Sequence, residues 1–257
     1  VSGFAIQDGF ADTVYAADQK GAVWKFDLLA AATSISTPLF TTQAHVDSGV
    51  TYRQPIIGGL TATAGGAGGV MLMFGTGSFS FNGDAGDSSI QTIYGVRDAG
   101  GSTTLTTSDL FARNMVVVPG ATTRTITANA MGVGYKGWYL NLPAGERMVG
   151  YPRVASGVLF IPTYAPTTAD GCSTGGENWL YGLDTRTGAP ALAGVRLGSI
   201  TGTTQGAAVG AIKIPTGGSA PVKDIGVSVL STSKPIDPTL PRCWMRVTVP
   251  GMTQAMF

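Results

Sequence analysis

The feature that most constrains this chain is a strand–loop–strand unit that occurs three times. In each copy an apolar run is followed, after a turn or loop, by an aromatic and an apolar residue two positions apart and then by an aspartate. The copies pair residues 13–18 with 23–27, 70–75 with 93–98, and 158–162 with 180–184. Continuous apolar runs are typical of strands covered on both faces, and residues two apart lie on one face of a strand.

Flanking segments complete four strands per unit, which is the content of a propeller blade. A strand is predicted before the second and third apolar runs, at residues 54–57 and 148–151, and another after each aspartate, at residues 37–40, 137–142 and 194–197. A fourth, weaker unit is predicted through residues 209–212, 226–230 and 243–247. The loops 75–91 and 163–178 and the connection 99–136 are insertions, which project from a propeller and are expected to contact partners.

The predicted fold is therefore all-β: a modified β-propeller with four-stranded blades, of which this chain holds a partial set. The blades are placed at about residues 4–45, 52–143 and 146–200, with an irregular last blade at 205–250, all in the C-terminal portion of one propeller domain over residues 1–257. Only 12% of residues are charged and 38 are glycine, so the chain has few residues that favour exposed helices. A β-sandwich is the alternative, but it does not predict the repeated signature. Residues 4–6 already have the pattern of a strand, which indicates a fragment of a longer protein.

Charge and motif content exclude several classes of function. The net charge is +1 and no basic cluster is present, so nucleic acid is not an expected partner. The longest apolar run, about five residues, is far below the ~20 needed to cross a bilayer, so no transmembrane segment is predicted. His45 is the only histidine, and neither a G-x-S-x-G turn nor a phosphate-binding loop occurs. The sequence predicts a protein that is not an enzyme, with no catalytic or cofactor-binding residue.

One acidic loop, residues 8–12, has part of a calcium-binding pattern. Asp8, Gly9 and Asp12 match the last three fixed positions of a D-x-D-x-D-G-x-x-D loop, but Phe4 and Ile6 replace the first two acidic positions. Calcium takes six to eight oxygen ligands, so two interpretations are open: a degenerate calcium site at Asp8 and Asp12, or a turn. A second loop, residues 82–88, contains Asp84 and Asp87, and it too is either a calcium site or a turn.

The two cysteines, Cys172 and Cys243, lie 71 positions apart (243 minus 172), which suits neither a CxxC redox pair nor a zinc site. They are either two buried thiols or a disulfide of an exported protein.

Several phrases, in order along the chain, resemble the C-terminal propeller domain of the PilY/PilC family of type IV pilus tip-associated adhesins and biogenesis proteins. They are residues 8–18 with 21–27, 53–56, 74–77 with 91–96, 136–142 with 145–147, and Cys172 with 175–176 before 179–181. The resemblance implies an exported protein of the pilus tip, outer cell surface or periplasm that regulates pilus extension and retraction. It also implies adhesion to host or abiotic surfaces, pilin or minor-pilin partners, and a calcium loop, of which only Asp8 and Asp12 carry over.

Two other classes remain as alternatives. Residues 180–188 are similar to a propeller repeat of quinoprotein dehydrogenases, which stack the quinone on adjacent cysteines and hold calcium with Glu, Asn and Asp. This chain has no adjacent cysteines and only two glutamates. The third class is a propeller that serves as a scaffold for an envelope complex.

Overall fold

A computed structural model describes the backbone of most of the chain: residues 2–5, 11–29, 37–47, 49–66, 68–81, 83–166, 176–200, 204–213, 226–233 and 246–248. Within these ranges the secondary structure consists of β-strands and two short 3₁₀ helices, Asp84–Gly86 and Thr107–Asp109, so the predicted all-β class is confirmed. None of the described helices is long and apolar enough to cross a membrane.

Three sheets contain four consecutive antiparallel strands each, as expected for propeller blades. The first blade is β1 (Ser2–Ala5), β2 (Ala11–Ala17), β3 (Ala22–Asp27) and β4 (Phe40–Thr41). The second is β7 (Thr61–Ala64), β8 (Val70–Gly75), β9 (Thr92–Asp98) and β13 (Gly137–Asn141). The third is β14 (Arg153–Ala155), β15 (Val158–Pro166), β16 (Gly176–Asp184) and β17 (Pro190–Ile200).

Two smaller sheets lie outside these blades. β5 (Ala44–Asp47) and β6 (Val50–Arg53) form a hairpin between the first and second blades. β18 (Thr204–Lys213), β19 (Gly226–Ser233) and β20 (Arg246–Thr248) form a three-stranded antiparallel sheet in the region of the predicted fourth unit.

The repeated aspartate has the same local role in all three blades. Each one ends the third strand of its blade, and its Oδ1 accepts a hydrogen bond from the backbone amide two residues later. The pairs are Asp27 with Leu29 at 2.9 Å, Asp98 with Gly100 at 2.8 Å and Asp184 with Arg186 at 3.1 Å. This Asx-turn stops the strand and reverses the chain, which explains why the signature ends on aspartate.

The blades pack face to face through alternating side chains of the second blade. On β8, Leu72 and Phe74 join one buried cluster with Tyr15 and Phe40 of the first blade. Met71 and Met73 join a second cluster with the apolar side chains of the third blade. Because successive residues of a strand point to opposite faces, an uninterrupted apolar run is needed where both faces are covered.

The insertion at residues 99–136, hereafter insertion B, adds strands to the outer edges of the blades. β10 (Phe111–Arg113) pairs in parallel with β13 of the second blade. β11 (Met115–Val116) and β12 (Thr123–Ile126) extend the third blade, because β12 pairs with β17. Leu105 bridges to Phe40 of the first blade. Insertion B therefore contacts the outer strand of all three blades.

Four details of the sequence prediction are wrong. The first strand of the second blade is β7, not residues 54–57, and that of the third is β14, not 148–151. In both cases the predicted segment connects blades, and the apolar side chains Ile56 and Met148 are buried between them. The hairpin β5–β6 lies where a loop around His45 was expected. In addition, β15 and β16 extend into the predicted loop 163–178.

Candidate functional site

A buried polar cluster lies between the second and third blades and is centred on Glu146, whose side chain is fully buried. Its Oε1 accepts hydrogen bonds from Tyr181 Oη at 2.8 Å and from Thr163 Oγ1. Its Oε2 forms a salt bridge with Arg124. A buried carboxylate is tolerated only when it is paired and hydrogen-bonded, and here both conditions hold.

Arg124 belongs to β12, so the salt bridge joins insertion B to the interior of the propeller. The guanidinium carbon of Arg124 lies 3.5 Å from the centre of the Trp179 ring, and the same group donates to Tyr181 Oη. Burial, with the Glu146 carboxylate next in effect, raises the pKa of Tyr181 above its ordinary value. The phenol is therefore a neutral donor to the carboxylate at physiological pH.

The next residue, Arg147, holds the other insertion, residues 75–91, hereafter insertion A. Arg147 as a whole is 1% exposed, and its guanidinium donates to the backbone carbonyls of Ser78 at 2.9 Å, Asp84, Asp87 and Gly145. Burial lowers the pKa of Arg147, and the acidic side chains of Asp87 and Asp84 oppose that effect. Five fixed N–H donors make arginine suited to collecting several carbonyl oxygens at once.

The backbone around Arg147 explains how the guanidinium reaches insertion A. The amide and carbonyl of Arg147 exchange hydrogen bonds with Tyr164 of β15 at 2.9 and 2.8 Å, and the Met148 amide donates to Thr76 at 3.0 Å. A side chain at Gly77 would overlap Arg147, since a Cβ there would lie 2.3 Å from the Cβ of Arg147. The chain around Arg147 therefore passes directly between the ends of β8 and β15.

Insertion A also stabilises its own turns. Asp84 Oδ2 accepts hydrogen bonds from Ser78 Oγ at 2.6 Å and from the amides of Ser80 and Phe81 at 2.8 and 2.9 Å. Burial opposes ionisation of Asp84, but these donors and Arg147 hold its pKa below the ordinary value. These contacts support the turn interpretation of residues 82–88, because a guanidinium occupies the centre towards which the carbonyl oxygens point.

The other predicted site residues are not brought together in the described part of the chain. Asp12 lies on β2, and its carbonyl accepts the Leu28 amide at 2.8 Å. Asp8, Cys172 and Cys243 lie outside the described residues. The described ranges contain no group of three or more His, Cys, Asp or Glu side chains that could hold a metal ion. Asp12 alone cannot supply the oxygens that calcium requires.

Sequence reasoning noted residues 145–147 only as part of a family phrase and assigned them no role. One signal was available, because Glu146 is one of only two glutamates in a chain poor in charge. In a chain with so few charged residues, a glutamate is a candidate for a buried ion pair. Its partner Arg124 lies 22 positions away in an insertion, and no local pattern connects them.

The fold and the site define a β-propeller module whose blades carry ordered insertions held by buried charges. The chain is 31% identical over 256 residues to a type IV pilus biogenesis factor PilY1 homolog of Xylella fastidiosa, and the match covers 89% of this chain. It is 27% identical over 228 residues, 70% of the chain, to type IV pilus biogenesis factor PilY1 of Pseudomonas aeruginosa. The chain belongs to the PilY1 family. These matches span 17% and 20% of the length of the two relatives. No protein-family model and no solved structure matches the chain.

Proposed function

We propose that this chain is the propeller module of an exported type IV pilus biogenesis factor, which acts at the pilus tip or cell surface. In this role it regulates pilus extension and retraction and contributes to attachment, without catalysis. The observation that carries the proposal is the similarity to PilY1 over 89% of the chain. The propeller supplies a support, and the two insertions supply exposed loops that can contact a partner.

The insertions carry much of the exposed apolar surface of the described residues. Insertion B exposes Val116, Val117 and Val118 by 52%, 47% and 58%. Insertion A exposes Phe81 by 61%. Exposed apolar side chains that are adjacent mark contact surfaces more often than isolated ones do. We assign these surfaces to contact with pilin or minor pilins, which are the partners that the family resemblance implies.

The pilus role is tested by deleting the gene that encodes this chain and counting surface pili by electron microscopy. Deletion is expected to reduce pilus number and surface attachment, and the wild-type gene to restore both. The combined change Val116→Ser, Val117→Ser and Val118→Ser is expected to fail to restore them. A matched control is Leu28→Ser with Leu29→Ser, because these residues are also exposed but lie outside the insertions. Normal piliation and attachment after deletion would contradict the proposal.

The absence of catalysis has its own test. Quinone and calcium are added to the purified chain, and dye-linked alcohol oxidation is followed. Activity above the blank would favour the dehydrogenase alternative.

The scaffold alternative is tested by the gene deletion. If the chain is a scaffold of an unrelated envelope complex, deletion leaves pilus number unchanged.

Calcium at Asp8 and Asp12 is a separate hypothesis, which rests on the partial loop pattern and the family resemblance. Calorimetric titration of calcium into the chain is compared with the double variant Asp8→Ala, Asp12→Ala. Loss of binding heat in the variant supports a calcium site, whereas identical traces support a turn.

A further inference from the structure

The outermost strand of the third blade's sheet, β11, has a neighbouring strand on one side only. The sheet runs in the order β11, β12, β17, β16, β15, β14. The Asn114 carbonyl accepts the Thr127 amide at 2.9 Å, and in the same register Val116 lies opposite Thr125. Because hydrogen-bonded pairs recur at every second residue of an antiparallel ladder, the amide and carbonyl of Val116 also face β12.

Three backbone groups of β11 and the residue after it point away from β12. In a trans peptide the carbonyl and the following amide point in opposite directions, so the outward groups are the amide and carbonyl of Met115 and the amide of Val117. None of the hydrogen bonds found among the described residues uses these three groups. The outer edge of β11 therefore presents a donor, an acceptor and a donor in the order that a further β-strand complements.

The side chains of this edge also favour pairing. Residues 114–118 contain no charged residue, and Val116, Val117 and Val118 are exposed. Natural sheets protect free edges with charged side chains, and the opposite edge of this sheet follows that rule, since β14 contains the exposed Arg153. An unprotected edge of exposed β-branched residues is prone to aggregation unless a partner covers it. The edge of β11 is therefore suited to an uncharged partner strand.

The edge is formed before any partner binds. The turn from Val118 to Ala121 is closed by a hydrogen bond of 3.1 Å between the Ala121 amide and the Val118 carbonyl, and Gly120 has the positive φ of 77° that a Pro-Gly turn requires. The inner strand β12 pairs with β17 and contains Arg124, whose salt bridge with Glu146 anchors the hairpin. A preformed edge lowers the entropy cost of binding.

We propose that the outer edge of β11 binds an extended, uncharged strand of a partner protein by β-strand addition. The backbone of the partner pairs with the free groups of Met115 and Val117, and its β-branched side chains contact the exposed valines. The inference deepens the proposed contact with pilins and rests on that proposal for the source of the strand. The mode of binding is a property of the purified chain and is tested on it.

The probe is a dye-labelled peptide in which threonine and valine alternate between terminal lysines, which keep it soluble. Its control has the same sequence with alternate amides N-methylated, so that it cannot pair with a strand edge. Fluorescence anisotropy measures binding to the purified chain, and amide hydrogen exchange is followed by nuclear magnetic resonance. Saturable binding of the peptide but not of its N-methylated form is expected. The Met115 and Val117 amides should then exchange more slowly, whereas Val116 is already protected by β12.

A proline variant tests the backbone directly. Val117→Pro removes an outward amide and leaves the pairing of Val116 with Thr125 in place, and edge strands tolerate proline at such positions. Peptide affinity is expected to fall about tenfold, because a hydrogen bond to the peptide is lost. Val117→Thr, which keeps the amide and the β-branched shape, is the matched control with affinity close to wild type. If Val117→Pro fails to fold, the N-methylated peptide removes the same pairing from the other partner.

Equal binding of the two peptides, unchanged exchange at Val117, or undiminished affinity of Val117→Pro would overturn the proposal. So would a dimer of the wild-type chain in analytical ultracentrifugation that Val117→Pro abolishes, because the edge would then bind a second copy. A gene deletion without effect on pili would contradict the pilus role and leave strand addition intact. Loss of pili on deletion, together with absent peptide binding, would contradict strand addition alone.

Discussion

The hydroxyl of Tyr15 donates a hydrogen bond of 2.7 Å to Asp98 Oδ2 and thereby joins the second strand of the first blade to the signature aspartate of the second. Lys25 Nζ lies 2.8 Å from the same oxygen. Burial opposes ionisation of Asp98, yet Lys25, the Gly100 amide and Tyr15 hold its pKa below the ordinary value. Burial and the carboxylate together raise the pKa of Tyr15. The contact between the two blades therefore consists of a charged carboxylate and a neutral phenol.

This contact predicts a pH-dependent contribution to stability. The pKa of Asp98 is lower in the folded than in the unfolded chain, where it is about 3.9, so the contribution is complete above that value and is lost as the pH falls through the folded pKa. Asp98→Asn is expected to lower the free energy of unfolding at pH 7, and the deficit should shrink at pH 3. Urea unfolding at both pH values measures it. Asp27→Asn, at the exposed signature aspartate, is the control, and a deficit independent of pH would contradict the assignment.

The two glutamates of the chain provide a matched pair of substitutions. Glu146→Gln leaves the buried Arg124 without its counter-charge, and the expected loss of stability is about 3–5 kcal/mol. Glu177→Gln breaks the half-exposed pair with Arg196, with N and O atoms 3.0 Å apart, and is expected to cost about 0–1 kcal/mol. Denaturant unfolding of the two variants measures both. Equal losses would show that the buried cluster is not a principal contact between insertion B and the blades.

Arg147→Gln is expected to release insertion A from the propeller. The variant leaves the carbonyls of Ser78, Asp84 and Asp87 without a charged donor, at about 1.5–3 kcal/mol for each such hydrogen bond. Limited proteolysis should then cut within residues 78–89, whereas the wild-type chain is expected to resist cleavage there. Arg147→Lys should not restore resistance, because an ammonium lacks the planar set of five donors.

The control for that experiment is Arg153→Gln, since Arg153 is an exposed arginine on β14. Cleavage of the control at the same rate as Arg147→Gln would indicate general destabilisation. An Arg147→Gln chain as resistant as wild type would show that the turns of Asp84 hold insertion A without the guanidinium.

The two alternatives for Cys172 and Cys243, a disulfide or two free thiols, differ in their expected effect on stability. Closing a loop of 71 positions between Cys172 and Cys243 contributes about 4 kcal/mol in the chain-entropy model, less any strain. If the bond forms, the melting temperature of the oxidised chain falls on reduction, and Cys243→Ser abolishes the difference. An unchanged melting temperature would indicate free thiols.

The sequence was sufficient for the parts of the fold that depend on local pattern. The apolar run at β8 and the aspartate that ends β9 follow from strand periodicity and turn chemistry, and both lie where they were predicted. The first strands of the second and third blades were misplaced, because Ile56 and Met148 are buried without belonging to a sheet strand. A buried position selects an apolar residue both in a strand and in a connecting segment, so the sequence pattern does not distinguish the two.

The site could not be derived in the same way. The pairing of Glu146 with Arg124 and the wrapping of insertion A around Arg147 join residues 22 and more positions apart. The first contact is fixed by how insertion B lies along the outer edges of the blades, and the second by how the segment around Arg147 passes between β8 and β15. Short motifs contain no information about either path. The acidic composition of residues 82–88 left a calcium site and a turn open, and it gave no sign that the Arg147 guanidinium binds the backbone carbonyls of this segment.

The packing of Trp138 provides a last prediction about the seam between the second and third blades. Its indole lies against Gly95 of its own blade and Gly188 of the next, and its Nε1 donates to the Thr185 carbonyl at 3.1 Å. A Cβ at Gly95 would lie 2.4 Å from the indole, so Gly95→Ala must displace the ring. We expect a loss of about 1–3 kcal/mol, as for overpacked cores, because the Thr185 hydrogen bond is strained at the same time. Gly101→Ala is the matched control, since no atom lies within 4 Å of a Cβ there. Urea unfolding measures the loss, and equal stability of the two variants would show that the indole can move without weakening the contact between the blades.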